Sequence, residues 1–136
     1  MKKGICALLF LLFALPCLAE NSAYQSDFSK GLDGWYPRSS GTAALEVTQE
    51  GLKITGRTAT WNSPGRAFQL TAEESYLISV DVKQEEMESG RFILSAEHAK
   101  DGQTSYENLV SANVPKGEWV TLSALWVAGD WDTYVL

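Results

Sequence analysis

The segment Gly56-Arg57-Thr58-Ala59-Thr60-Trp61-Asn62-Ser63-Pro64 gathers an indole, a guanidinium, hydroxyls and an amide within one short stretch. Aromatic faces stack on the C–H faces of pyranose rings, and planar polar groups grip the hydroxyls at their edges, so this set suits sugar binding. Read as a strand over Thr58 to Trp61, the segment places Arg57, Ala59 and Trp61 on one face, with the small Ala59 leaving room for a ring. A core tryptophan beside an arginine at a sheet edge accounts for the same pattern equally well. A tryptophan face that buries about 100 Å² contributes roughly 2–3 kcal/mol at about 25 cal/mol per Å². Two such platforms with a few hydrogen bonds imply micromolar to millimolar affinity, each ~1.4 kcal/mol being tenfold.

Catalytic chemistry has less to work with. His98 is the sole histidine, so any nucleophile with an imidazole base must route through it, and a lone histidine at a strand end reads as structural. Glycoside hydrolysis needs two carboxylates flanking a cleft, but the eleven glutamates offer no distinguished pair. Glu85, Glu86 and Glu88 read as a solvated loop, and Glu73-Glu74 as a polar turn. Metal-ligand spacing with imidazoles is absent, which leaves a structural calcium site with oxygen ligands, to which Asp27 and Asp33 would contribute. The site metal stays undefined, and no cofactor is required.

The first residues, Met1-Lys2-Lys3, precede an uncharged run from Gly4 to Ala19, the layout of a secretory signal peptide cleaved before Glu20. That run is shorter than the roughly 20 apolar residues of a spanning helix. Pro16 before Cys17 argues against a lipid anchor. The expected organisation is a leader over 1–19 and one domain over 20–136, secreted to the periplasm or exterior. Cys6 and Cys17 both fall in the leader, so the domain has no disulfide and depends on its core. Its net charge of −8 after loss of Lys2 and Lys3 disfavours nucleic acid and anionic membranes as partners. A neutral polymer is indifferent to that charge.

The elements that must position these residues are strands. After residue 20 no apolar period of 3.6 is sustained, whereas alternation bounded by Gly, Pro, Asp or Ser recurs. Strands are expected over 45–48, 52–55, 58–61, 66–70, 76–83, 92–97, 109–114 and 119–127, and from 133 onward, with turns at Asp101-Gly102 and Pro115-Lys116-Gly117 among others. This pattern predicts an all-β, two-sheet sandwich or jelly roll. Tyr76, Ile78, Val80 and Val82 form its buried stripe, and Trp35, Trp119 and Trp126 are expected in the core. Trp131, between two aspartates, is expected on a surface loop. Thr133-Tyr134-Val135-Leu136 reads as a strand cut short.

The chain resembles a family 22 carbohydrate-binding module, the xylan-binding β-sandwich attached to many bacterial xylanases. The likeness runs from about residue 27 to the end. It rests on Asp27-Phe28, Gly31, Gly34-Trp35, Pro37-Arg38, the nine residues around Trp61, Tyr76 to Lys83, Thr104-Ser105-Tyr106 and Gly117-Glu118-Trp119. It implies Trp61 and Tyr106 as stacking aromatics in a cleft on the concave face, with Arg38 as a polar contact. Arg57 joins them on strand alternation alone. Ser29 replaces an acidic residue that the family often has near a calcium, and Ser39 replaces a glycine. The resemblance implies non-catalytic binding of xylan or a related β-linked polysaccharide, with a catalytic domain beyond residue 136. Two alternatives stand beside it: an envelope β-sandwich that docks proteins, and a jelly-roll glycoside hydrolase.

Overall fold

A computed structural model of the chain describes residues 24–38 and 43–136. The expected leader and Ser39 lie outside these residues. Every regular element among the described residues is a strand: β1 (Tyr36–Pro37), β2 (Ala44–Thr48), β3 (Gly51–Thr55), β4 (Pro64–Gly65), β5 (Ala67–Phe68), β6 (Ser75–Val82), β7 (Ser89–Lys100), β8 (Gln103–Pro115), β9 (Val120–Val127) and β10 (Thr133–Val135). All the ladders they form are antiparallel.

The long β7–β8 hairpin is the spine. Lys100 pairs with Gln103 across Asp101-Gly102, both at positive φ, the backbone that a two-residue hairpin turn matched to strand twist requires. β10 lies beside β7 on one side and β5 on the other. Arg66, between β4 and β5, exchanges both backbone hydrogen bonds with Leu136, so β4 and β5 are halves of one strand broken at Arg66. β1 pairs with β4 at the outer edge. The surface therefore runs β1, β4–β5, β10, β7, β8, about 19 Å across at ~4.8 Å per strand.

β6 and β9 form a second ladder, and its inward residues meet the inward residues of the first. Ala96, Trp126, Ala128 and Tyr134 form the buried cluster, with Tyr76 and Ile78 packed against it. The stripe expected over Tyr76 to Val82 thus points inward. Strand parity fixes which tryptophans join it. Val120, Leu122, Ala124 and Trp126 share one side of β9, and Trp119, an odd number of residues from Trp126, faces the opposite way. Trp119 is exposed, with the Lys83 ammonium 5.9 Å from its ring, which corrects its expected place in the core. Trp35 is only half-buried; its Nε1 donates to the Tyr24 hydroxyl at 3.0 Å.

Trp131 is no surface ornament. Its ring stacks on His98 at 3.7 Å and lies 5.7 Å from Trp126, nearly parallel to both. Its backbone turn brings the ring so close to Gly129 that a Cβ there would overlap it. His98 is held by packing, as expected of a structural histidine.

The segment over Thr58 to Trp61 is a turn, not a strand. Asn62 is 2 % exposed, and its Oδ1 accepts from the Thr58 and Ala59 amides, both at 3.0 Å. The Asn62 amide donates back to the Ala59 carbonyl. An asparagine offering a local bond to the backbone competes with ladder pairing and folds the chain back on itself.

Candidate carbohydrate-binding face

Residues that pair directly across antiparallel strands point to the same side of a sheet. Ala67, Val135, Glu97 and Tyr106 are in register across β5, β10, β7 and β8. The opposite side carries Ala96 and Tyr134 of the core, so Glu97 and Tyr106 point away from it. Tyr106 is 67 % exposed.

A bulge sets this arrangement. Leu94 pairs with Val110 and Ser95 with Asn108, so Leu109 is an extra residue in β8. In an unbroken ladder Glu97 would oppose Glu107, two like charges facing each other. The extra residue advances the parity by one and sets Tyr106 opposite Glu97 instead. Glu107 turns to the inner side, where its carboxylate accepts from Trp126 Nε1 at 3.0 Å.

Arg38 reaches the same face from β1. Tyr36 pairs with Gly65, and the Arg38 amide donates to the Ser63 carbonyl, so Tyr36 and Arg38 share a side. Gly65 makes room for the arginine: a Cβ there would overlap Arg38 Cγ and Cδ and stand 3.1 Å from Val135 Cγ1. Arg38 Nη2 meets Glu97 Oε2 at 2.6 Å, with side chains 13 % and 30 % exposed. Its guanidinium carbon lies 5.5 Å from the Tyr106 ring centre, within cation–π range.

Trp61 is 73 % exposed on the turn stapled by Asn62. That turn joins the face through Ser63, whose carbonyl accepts from Arg38. Arg57 is placed differently. With no strand over 58–61, the alternation that grouped it with Trp61 does not exist, and its Nη2 donates to the Thr60 carbonyl at 2.8 Å. Sequence reasoning missed Glu97 and Tyr36, whose positions depend on the bulge and on the β1–β4 register. The only signal in the chain for Tyr36 was its spacing of two from Arg38.

Asp27 and Asp33 line a shallow cavity of about 500 Å³ together with Lys30 and Arg66. Asp33 Oδ2 accepts from the Tyr24 hydroxyl at 2.9 Å, and Asp27 Oδ1 from the Ser29 amide at 2.9 Å. Hydrogen bonds from Tyr24 and Ser26, with Arg66 and Lys30 nearby, hold the Asp33 carboxyl below the ordinary aspartate range. With two cations in the same cavity and these carboxylate oxygens already hydrogen-bonded, the residues present do not fit a calcium ion. Among the described residues, no group of three or more His, Cys, Asp or Glu could hold a metal.

An exposed face with a tyrosine, an oriented guanidinium and a carboxylate, joined through Ser63 to a turn that carries an exposed indole, has the groups to stack on sugar rings and bond their hydroxyls. Residues 20–136 match the family described as carbohydrate binding domain. Endo-1,4-beta-xylanase A of Thermotoga neapolitana is 28 % identical over 110 residues, covering 74 % of this chain and 10 % of that protein. A xylanase/beta-glucanase of Ruminococcus flavefaciens is 30 % identical over 112 residues, covering 76 % of this chain and 14 % of that protein. The chain thus spans about a tenth to a seventh of the length of these relatives. The tandem CBM22-1-CBM22-2 domain of Paenibacillus barcinonensis Xyn10C superposes with a TM-score of 0.75 at 21 % identity, covering 82 % of this chain and 40 % of that one. The C-terminal family 22 carbohydrate binding module of Clostridium thermocellum Xyn10B gives 0.71 at 24 %, covering 82 % and 80 %. Both share the β-sandwich fold. On the match over residues 20–136, the chain belongs to the carbohydrate binding domain family, a class of non-catalytic sugar-binding modules, and it is folded as the family 22 modules are.

Proposed function

We propose that the outer face of the β1–β4–β5–β10–β7–β8 surface binds xylan or xylo-oligosaccharides. Tyr106 and Trp61 stack on xylose rings, and Arg38 donates to ring hydroxyls. The observation that carries this reading is the placement of Arg38 beside an exposed Tyr106, held there by Glu97. A pentose chain lacks the hydroxymethyl group that each hexose ring carries, so it can lie along a face built of single aromatics and planar polar groups. The module is secreted and serves as the targeting arm of a larger hydrolase, consistent with relatives named as xylanases that are far longer than this chain. Retardation of the chain in a native gel containing soluble xylan tests the reading. Migration unchanged by xylan, for a folded chain, would contradict it.

A protein-docking role has one observation in its favour. Leu77 and Leu125 pair across β6–β9 on the side away from the core and are 75 % and 74 % exposed, with Val127 nearby also exposed. Such a strip suits a protein partner. It lies on the other layer, so Leu77→Ser with Leu125→Ser separates the two roles: xylan retardation should persist.

A further inference from the structure

The Arg38–Glu97 pair changes what kind of xylan the face favours. An arginine alone on an exposed sheet would be a cation waiting for an anion, and planar guanidinium is well matched to carboxylates. Here the carboxylate is already supplied from within the chain: Glu97 Oε2 sits 2.6 Å from Arg38 Nη2. The pair is half-screened from solvent, Arg38 being 13 % exposed, because Gly65, lacking a Cβ, lets the arginine stem lie over β4. The bulge at Leu109 puts Tyr106, and not Glu107, beside it. The face therefore presents a neutral pair next to an aromatic ring, on a domain that is acidic as a whole.

We infer that Glu97 is a specificity-determining residue, which cancels the charge of Arg38 so that the face prefers uncharged xylan over chains carrying uronic acid side groups. This rests on the reading of the face as a xylan site. Glu97 acts on the charged substituent through Arg38, and it also fixes the guanidinium for the neutral backbone. Its removal should then have two effects of opposite sign: weaker binding of the neutral chain and relatively stronger binding of the acidic one. A merely structural role would move both ligands alike.

The test compares xylohexaose with a xylo-oligosaccharide of the same length bearing one glucuronic acid, by titration calorimetry on the full chain. In Glu97→Gln the acidic-to-neutral affinity ratio should rise about three- to five-fold, the scale of a partly exposed ion pair. The rise should be larger at about 0.01 M salt than at about 0.15 M, where screening is tighter. Arg38→Gln leaves Glu97 uncompensated, and the ratio should fall. Glu86→Gln removes the same charge from the loop before β7, about 26 Å away along the strand at ~3.3 Å per residue, and should leave the ratio unchanged. A ratio within twofold of wild type in both Glu97→Gln and Arg38→Gln, with xylohexaose still bound, would overturn the inference. So would an equal rise in Glu86→Gln. Failure of the wild type to bind either oligosaccharide would instead remove the xylan reading, and the inference with it.

Discussion

Tyr106 stands opposite Glu97 across the β7–β8 hairpin, in the place that Glu107 would take in an unbroken ladder. One extra residue in β8 decides which of two neighbours points to the outer face and which to the core. The relationship also separates the two glutamates by role: Glu97 holds Arg38, and Glu107 holds the Trp126 indole.

Glu107→Ala should therefore cost stability without touching the binding face. Losing an acceptor for the nearly buried Trp126 N–H costs about 1–3 kcal/mol. Urea unfolding should show that loss, while affinity for xylohexaose stays within twofold. A large drop in affinity at unchanged stability would mean that Glu107, not Tyr106, faces the ligand.

Gly65→Ala should disturb the face from beneath. The added methyl overlaps Arg38 Cγ and Cδ, near the root of the side chain rather than its mobile end, so the arginine must swing out. Affinity for xylohexaose should fall several-fold, with about 1 kcal/mol or more of stability lost. Wild-type affinity in this variant would show that the position of Arg38 over β4 is unimportant.

Asn62→Ala should loosen Trp61 without altering any group that meets sugar. It strips the acceptor from the Thr58 and Ala59 amides, a cost of about 1–3 kcal/mol. Affinity for xylohexaose should weaken, and the Trp61 fluorescence anisotropy, read with the other four tryptophans replaced by phenylalanine, should fall. Unchanged binding and anisotropy would mean that the turn holds its shape without the asparagine.

Acid should weaken the chain partly through Asp33. Its carboxyl is held low first by the Tyr24 hydroxyl, then by Ser26, with Arg66 and Lys30 adding. A carboxyl depressed in the folded state contributes stability above its unfolded value, and that contribution is lost as pH falls through the lower folded value. Asp33→Asn should thus be less stable near neutrality and converge with wild type as pH falls from there through the lowered folded value. A difference constant across that range would exclude this titration as the cause.

The sandwich was legible because its signals are local: the Tyr76 to Val82 alternation, the Asp101-Gly102 turn and the absence of helical period each follow from neighbouring residues. The expectation that Trp119 and Trp126 share the core failed on β9 parity: the two lie an odd number of residues apart, so one faces inward and the other is exposed. Three features lay beyond such reasoning. Asn62 turns the Trp61 segment through a bond to the backbone that propensity patterns do not report. The bulge at Leu109 shows no glycine or other mark, and only pairing with β7 reveals it. The stacking of Trp131 on His98 joins residues brought together by β10, a contact between segments far apart in sequence.

The proposed stacking platform is the pair of exposed rings, Trp61 and Tyr106. Titration of xylohexaose into wild type, Trp61→Ala and Tyr106→Ala tests it most directly. Each ring contributes roughly 2 kcal/mol, so each variant should bind about thirtyfold more weakly. Both rings are largely exposed, so the free energy of unfolding should change by no more than about 0.5 kcal/mol. Wild-type affinity in either folded variant would contradict the claim.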